Sequence, residues 1–181
     1  MLGLIKNYTY KRRLQRGLQR RGTPKRKSLV NLNNAKSIGI LFDAQNIDEQ
    51  NRILKYAESL RKKGKKVQLL GYVGDQTELE AFPFDAYSKK NIDWAGCPKS
   101  SQAKDFMDQS FDLLLHIACE SNLHTSFISA LSKAQLRVGP SVDNTDCYDL
   151  MIGASPSTGI KKFIQQMEAV LDKTNLQHEA K

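Results

Sequence analysis

Ile38-Gly39-Ile40-Leu41-Phe42-Asp43-Ala44-Gln45-Asn46 is the stretch that decides the fold class. Residues 38–42 are apolar apart from one glycine, and the run is too short for a buried helix. Closed by an acid and two amides, it reads as a strand buried on both faces. The period then changes. Over residues 48–63, Ile53, Leu54, Ala57 and Leu60 share one side of a helix, which Gly64 stops. A second apolar strand over 67–73 ends at Gly74-Asp75. A strand, a helix and a strand in succession make a parallel pair with a right-handed crossover.

The same alternation continues outward. Residues 113–118 form an apolar strand interrupted only by His116. A helix over 123–135 and a short strand over 136–139 follow. A further strand is expected at 150–152. The closing helix covers 157–172, with Ile160, Phe163, Ile164, Met167 and Leu171 at helical spacing. Residues 76–100 carry the weakest pattern, with a short strand at 84–87; a short helix is expected at 100–109. This is an α/β chain: a single three-layer domain over residues 37–181 with a mostly parallel sheet, preceded by a basic helix and linker over residues 1–36. The body begins its own pattern at Ile38 and is long enough to bury a core unaided.

Charge divides the chain at the same point. No Asp or Glu precedes Asp43, whereas Lys6, Lys11, Arg12, Arg13, Arg16, Arg20, Arg21, Lys25, Arg26, Lys27 and Lys36 all do. Of 28 basic residues, 11 lie in this arm, leaving 17 to face 19 acidic ones in the body. At about 100° per residue, Leu4, Tyr8, Leu14 and Leu18 gather on one side of a helix over 3–21. Arg12, Arg13, Arg16 and Arg20 gather on the other. Gly17 weakens that helix by about 1 kcal/mol relative to alanine, and Gly22-Thr23-Pro24 ends it.

An acid-free basic arm calls for a polyanion or an acidic surface. The arginine fork matches phosphate, and Tyr8 and Tyr10 are available for stacking. The expected phosphate contacts are Arg12, Arg13, Arg16, Arg20, Arg21, Lys25, Arg26 and Lys27. Two other uses of the arm compete: a helix on an anionic membrane, or docking on the body with solvated charges. Both faces can serve at once, one docking and one binding.

The remaining signals bound the setting. No apolar run is long enough to span a bilayer, and the apolar start before Lys6 is too short for a signal peptide. Cys97, Cys119 and Cys147 are odd in number and widely spaced, which reads as reduced thiols in a cytoplasmic protein. Neither of the glycine-rich phosphate loops occurs, so no nucleotide cofactor is expected.

Strand ends are where an open α/β sheet holds ligands. Asp43, Asp75 and Glu120 each follow a strand, and three such acids could hold Mg²⁺ for phosphodiester cleavage. Asn46 or Asp48 capping the next helix is the plainer reading of the first loop. His116, Cys119 and His124 are close in sequence, but zinc needs a fourth ligand or an open position. A core histidine and a packed thiol account for the first two. Trp94, the single tryptophan, is read as closing over an edge of the core.

Two resemblances add to this. The phrase Ile40-Leu41-Phe42-Asp43-Ala44-Gln45-Asn46 resembles the opening strand of PIN-like and NYN ribonucleases. That likeness implies a metal-dependent nuclease with Asp43 on the metal. Where those enzymes continue with closely spaced aspartates, this chain has Cys119-Glu120-Ser121-Asn122. Residues 37–155 as a whole resemble an uncharacterised family of bacterial proteins, through Gly39–Asp43, Gly64–Gly71, Ile92–Gly96, Ala130–Ala134 with Arg137–Gly139, and Tyr148–Ile152. The resemblance implies a bacterial cytoplasmic setting and no mechanism. The expected function is non-catalytic RNA binding, with ribosomal RNA in a ribosomal particle as the target. A nuclease and an adaptor at a membrane surface or protein partner are the alternatives.

Overall fold

The computed structural model describes residues 2–22, 30–153, 157 and 159–176. Among these, one sheet contains β1 (Ser37–Asp43), β2 (Lys66–Tyr72), β3 (Asp85–Tyr87), β4 (Leu113–Ile117), β5 (Leu136–Pro140) and β6 (Leu150–Ile152). Their order is β3-β2-β1-β4-β5-β6, and every neighbouring pair is parallel. The helices are α1 (Leu2–Arg21), α2 (Ile47–Lys62), α3 (Ser101–Asp108), α4 (Leu123–Leu131) and α5 (Gly159–Leu176). The chain runs outward from β1 to β3, then returns to the other side of β1. This is the strand order of the doubly wound dinucleotide-binding folds, which place their ligand crevice where the order reverses. Here that point lies between β1 and β4.

The three layers follow from side-chain parity. Ile38, Ile40 and Phe42 of β1 point to one face and pack with Ile53, Ala57 and Leu60 of α2 and with Phe163, Met167 and Leu171 of α5. Leu41 points to the other face and packs with Phe106 of α3 and Ile128 of α4. Both sides of β1 are therefore dry, which is why its sequence is continuously apolar. Asp112 ties the entry of the sheet together. Its carboxylate accepts the backbone N–H groups of Lys36 and Ser37 at 2.8 and 2.9 Å and the Gln135 amide at 3.0 Å. Burial alone would raise its pKa, but the Ser37 and Lys36 amides outweigh that and hold it below the usual carboxylate value.

α1 is packed against the body. Tyr10 and Leu14 are only 6% and 4% exposed. They join Phe127 and Ala130 of α4 and Cys147 and Tyr148 of the β5–β6 connection in a third apolar cluster, with Leu18 at its margin. That connection carries no helix, so α1 covers this part of the core. Gly17 permits the close approach: a Cβ there would stand 2.6 Å from the Leu131 methyl groups. Tyr10, Leu14, Gly17, Leu18 and Arg21 make up the docked side, at i, i+4, i+7, i+8 and i+11. Leu4 and Tyr8 lie outside it, 76% and 65% exposed, contrary to the apolar stripe expected from their spacing. Tyr10 is likewise unavailable for stacking, since its ring is buried and its hydroxyl donates to the Leu123 carbonyl at 2.9 Å. In the linker, Val30 and Ala35 are buried and Asn31 closes a turn by accepting the N–H groups of Asn33 and Asn34. No helix among the described residues is long and apolar enough to cross a membrane.

Candidate functional sites: the strand-end cleft and the outer face of the first helix

The crevice between β1 and β4 is present as a cleft of about 410 Å³. Asp43, Gln45, Asn46 and Glu49 line one wall, and Cys119, Glu120, Ser121 and Asn122 the other. The N-termini of α2 and α4 flank it, and each is capped by its own residues. The Asn46 side chain accepts the N–H groups of Asp48 and Glu49 at 2.9 and 3.2 Å, as the capping reading expects. Asn122 accepts from Thr125 at 3.1 Å, and the Thr125 hydroxyl answers the Asn122 N–H at 3.1 Å. Phosphate binding at such termini uses free backbone N–H groups and glycine turns. Three carboxylates, Asp43, Glu49 and Glu120, line this cleft and disfavour an anion.

Asp43 is held by its neighbour. Its carboxylate accepts the Gln45 N–H at 2.9 Å and the Gln45 amide at 2.9 and 3.1 Å. Glu120 shares the cleft with Asp43, but Asp75 does not. Asp75 lines the next depression, towards Gln76 and Phe82, and pairs with Lys89 at 3.6 Å. Among the described residues, no three His, Cys, Asp or Glu side chains lie close enough together to hold a metal ion. His116, Cys119 and His124 likewise form no such group.

The two histidines belong to separate hydrogen-bond networks. His116 is 1% exposed, and its Nδ1 lies 2.5 Å from the Tyr148 hydroxyl, which in turn lies 3.1 Å from Ser121 Oγ. Burial, with His124 nearby, depresses its pKa to about 3. His124 Nδ1 lies 2.8 Å from the Tyr87 hydroxyl, and its ring stands 4.4 Å from the ring of Tyr72. Burial lowers its pKa to about 4. Both rings are neutral near pH 7.

The cations of α1 divide into engaged and free groups. Arg13 forms an ion pair with Asp93. Arg21 donates to the carbonyls of Ala130 and Ser132 at 2.5 and 3.2 Å. Burial and then the nearby charge of Arg137 lower its pKa. Arg12, Arg16 and Arg20 are exposed and, among the described residues, make no ion pair or hydrogen bond. Lys25, Arg26 and Lys27 lie outside the described residues.

Trp94 does not close over the core: it is 59% exposed. Its loop is nonetheless closed by hydrogen bonds. The Asp93 carboxylate accepts the N–H groups of Ala95 and Cys97 at 2.9 and 3.0 Å. Ala95 and Cys97 are buried in the α1 cluster. The Asp93–Arg13 clamp and the exposed Trp94 escape sequence reasoning because they join positions 80 residues apart. The Tyr10–Leu14–Leu18 docking side is visible in the helical spacing once the stripe is centred on Leu14.

A protein-family model matches residues 6–173, taking in α1 and the sheet together. The chain belongs to DUF6913, a family of unknown function. The DUF6913 match includes the strand-end cleft, the Trp94 loop and the arginines of α1. Among curated proteins, none matches the chain.

Proposed function

We propose that this DUF6913 chain binds RNA without turning it over, through the outward face of α1, with ribosomal RNA in the cytoplasm as the target. One observation carries the reading. Docking the inner side of α1 leaves Arg12, Arg16 and Arg20 exposed and without an acidic partner among the described residues. A helix that needed charge only for solubility would alternate signs, whereas α1 has no acid at all. Free guanidinium groups on a fixed helix release counterions when they meet phosphates, which supplies affinity without sequence choice. Lys25, Arg26 and Lys27 follow the helix directly in sequence and extend the same charge.

The test is the salt dependence of binding by the full chain and by the Arg12→Ala/Arg16→Ala/Arg20→Ala variant. With about 0.7 counterions released per single-strand phosphate, loss of three contacts should lower the log–log salt slope by about 2. An unchanged slope would remove α1 from the interface.

A second reading rests on Leu4, Ile5 and Tyr8, which are 76%, 51% and 65% exposed at the start of α1. With the arginines of the next turns they resemble the apolar and basic sides of a helix lying on anionic lipid. Flotation with vesicles containing anionic lipid, but not with neutral ones, would favour it.

A further inference from the structure

We infer that Trp94 is a base-stacking residue, and that the ligand of the α1 face is therefore single-stranded RNA with accessible bases. The inference rests on the RNA reading and narrows it. Arg13, Arg16 and Arg20 stand at i, i+3 and i+7, a single line along α1. Arg13 is the member that pairs with Asp93, so the loop bearing Trp94 meets the helix on that line. Trp94 is the next residue after Asp93. The opposite flank of α1, at Lys11 and Gln15, faces Asp143 and Asp146, where a phosphate chain would be repelled.

Trp94 is also held ready. Asp93 closes the loop onto the N–H groups of Ala95 and Cys97, Gly96 donates to the Asp93 carbonyl at 2.9 Å, and Ile92 bridges to Pro98. With Ala95 and Cys97, just after it, fully or nearly buried, the loop is anchored while the indole stays exposed. An exposed aromatic ring next in sequence to the partner of Arg13, on a helix line that goes on to the free Arg16 and Arg20, combines a surface for a base with cations for the phosphates, the pairing used by single-strand binders. A duplex keeps its bases stacked and offers such a ring nothing.

Trp94 is the only tryptophan, so its fluorescence reports on this site alone. The full chain would be titrated with a single-stranded RNA oligonucleotide and with a duplex of equal length, following both oligonucleotide anisotropy and indole emission. Single-stranded RNA should bind and quench the emission, and the duplex should bind without quenching. Trp94→Ala should weaken single-strand binding by roughly 5- to 150-fold, the effect of one lost base stack. Trp94→Phe should keep most of the affinity, and neither variant should alter duplex binding. RNA binding with no quenching and no effect of Trp94→Ala would overturn the inference while leaving the RNA reading standing. Absence of any RNA binding would sink both, and would give Trp94 to a protein or lipid surface.

Discussion

Leu14→Ala tests whether α1 is part of the folded core. Leu14 is 4% exposed and packs among Tyr10, Phe127, Ala130 and Tyr148. Truncating a buried leucine removes its transfer free energy and leaves a cavity, together about 2–5 kcal/mol in well-packed sites. This cluster lies between a terminal helix and the body, where the helix can shift to fill space, so about 2–3 kcal/mol is expected. For a domain of this size each kcal/mol lowers the melting temperature by about 2–4 °C, which gives a drop of about 4–12 °C. Leu4→Ala is the control, because Leu4 is 76% exposed and should stay within about 0.5 kcal/mol of wild type. Calorimetry or thermal circular dichroism on the three proteins decides the matter. If Leu14→Ala melts with wild type, or if Leu4→Ala is as damaging, the docking geometry is wrong. A chain beginning near Asn34 carries the same logic further: the body keeps its own core and should still melt cooperatively, but below wild type, because Phe127, Tyr148 and the Leu131 flank lose their cover.

Three further outcomes are expected. Asp149 accepts from the Arg137 Nε and a terminal guanidinium nitrogen, each at 3.0 Å, in a nearly buried pair, so Asp149→Ala should cost about 3–5 kcal/mol in denaturant unfolding. His116 and His124 have folded pKa values of about 3 and about 4, below the unfolded value near 6.5, so the unfolded state takes up protons first as pH falls. Their contribution is intact above about pH 6.5 and is lost progressively towards pH 4, at up to about 1.4 kcal/mol per pH unit for each ring. His124→Gln should flatten the stability–pH slope between about pH 6 and 4, and an unchanged slope would contradict the burial argument. Asp43 is bound up with Gln45, so Asp43→Ala should cost about 0.5–2 kcal/mol, comparable to losing a cap, and leave RNA affinity unchanged. Cleavage of RNA in Mn²⁺ by wild type that vanishes in Asp43→Ala would instead establish the nuclease.

Local chemistry by itself determined the elements and their class. The apolar run at residues 38–42 could only be a strand covered on both faces, because a half-exposed one would alternate. Asn46 announced its cap through the residue type and its place before an amphipathic stretch, and His116 announced its burial through its neighbours. Element ends moved by a few residues, as at α4, which stops at Leu131 where the sequence pattern runs on to 135. Residues 76–100 gave little, since a 3-10 turn and a three-residue strand have no period to detect. The tertiary structure decided which charges are free. Whether an arginine of α1 meets solvent, Asp93 or the Ala130 carbonyl depends on the rotation of the helix on α4. That rotation is set by Tyr10, Leu14 and Gly17 fitting against Phe127 and Leu131, contacts more than a hundred residues apart in sequence. Shorter but still non-local separations hid the distance of Asp75 from Asp43 and Glu120, and the exposure of Trp94 next to the partner of Arg13. A sequence states which groups can carry charge or stack. The packing of remote segments fixes which of them are left without a partner.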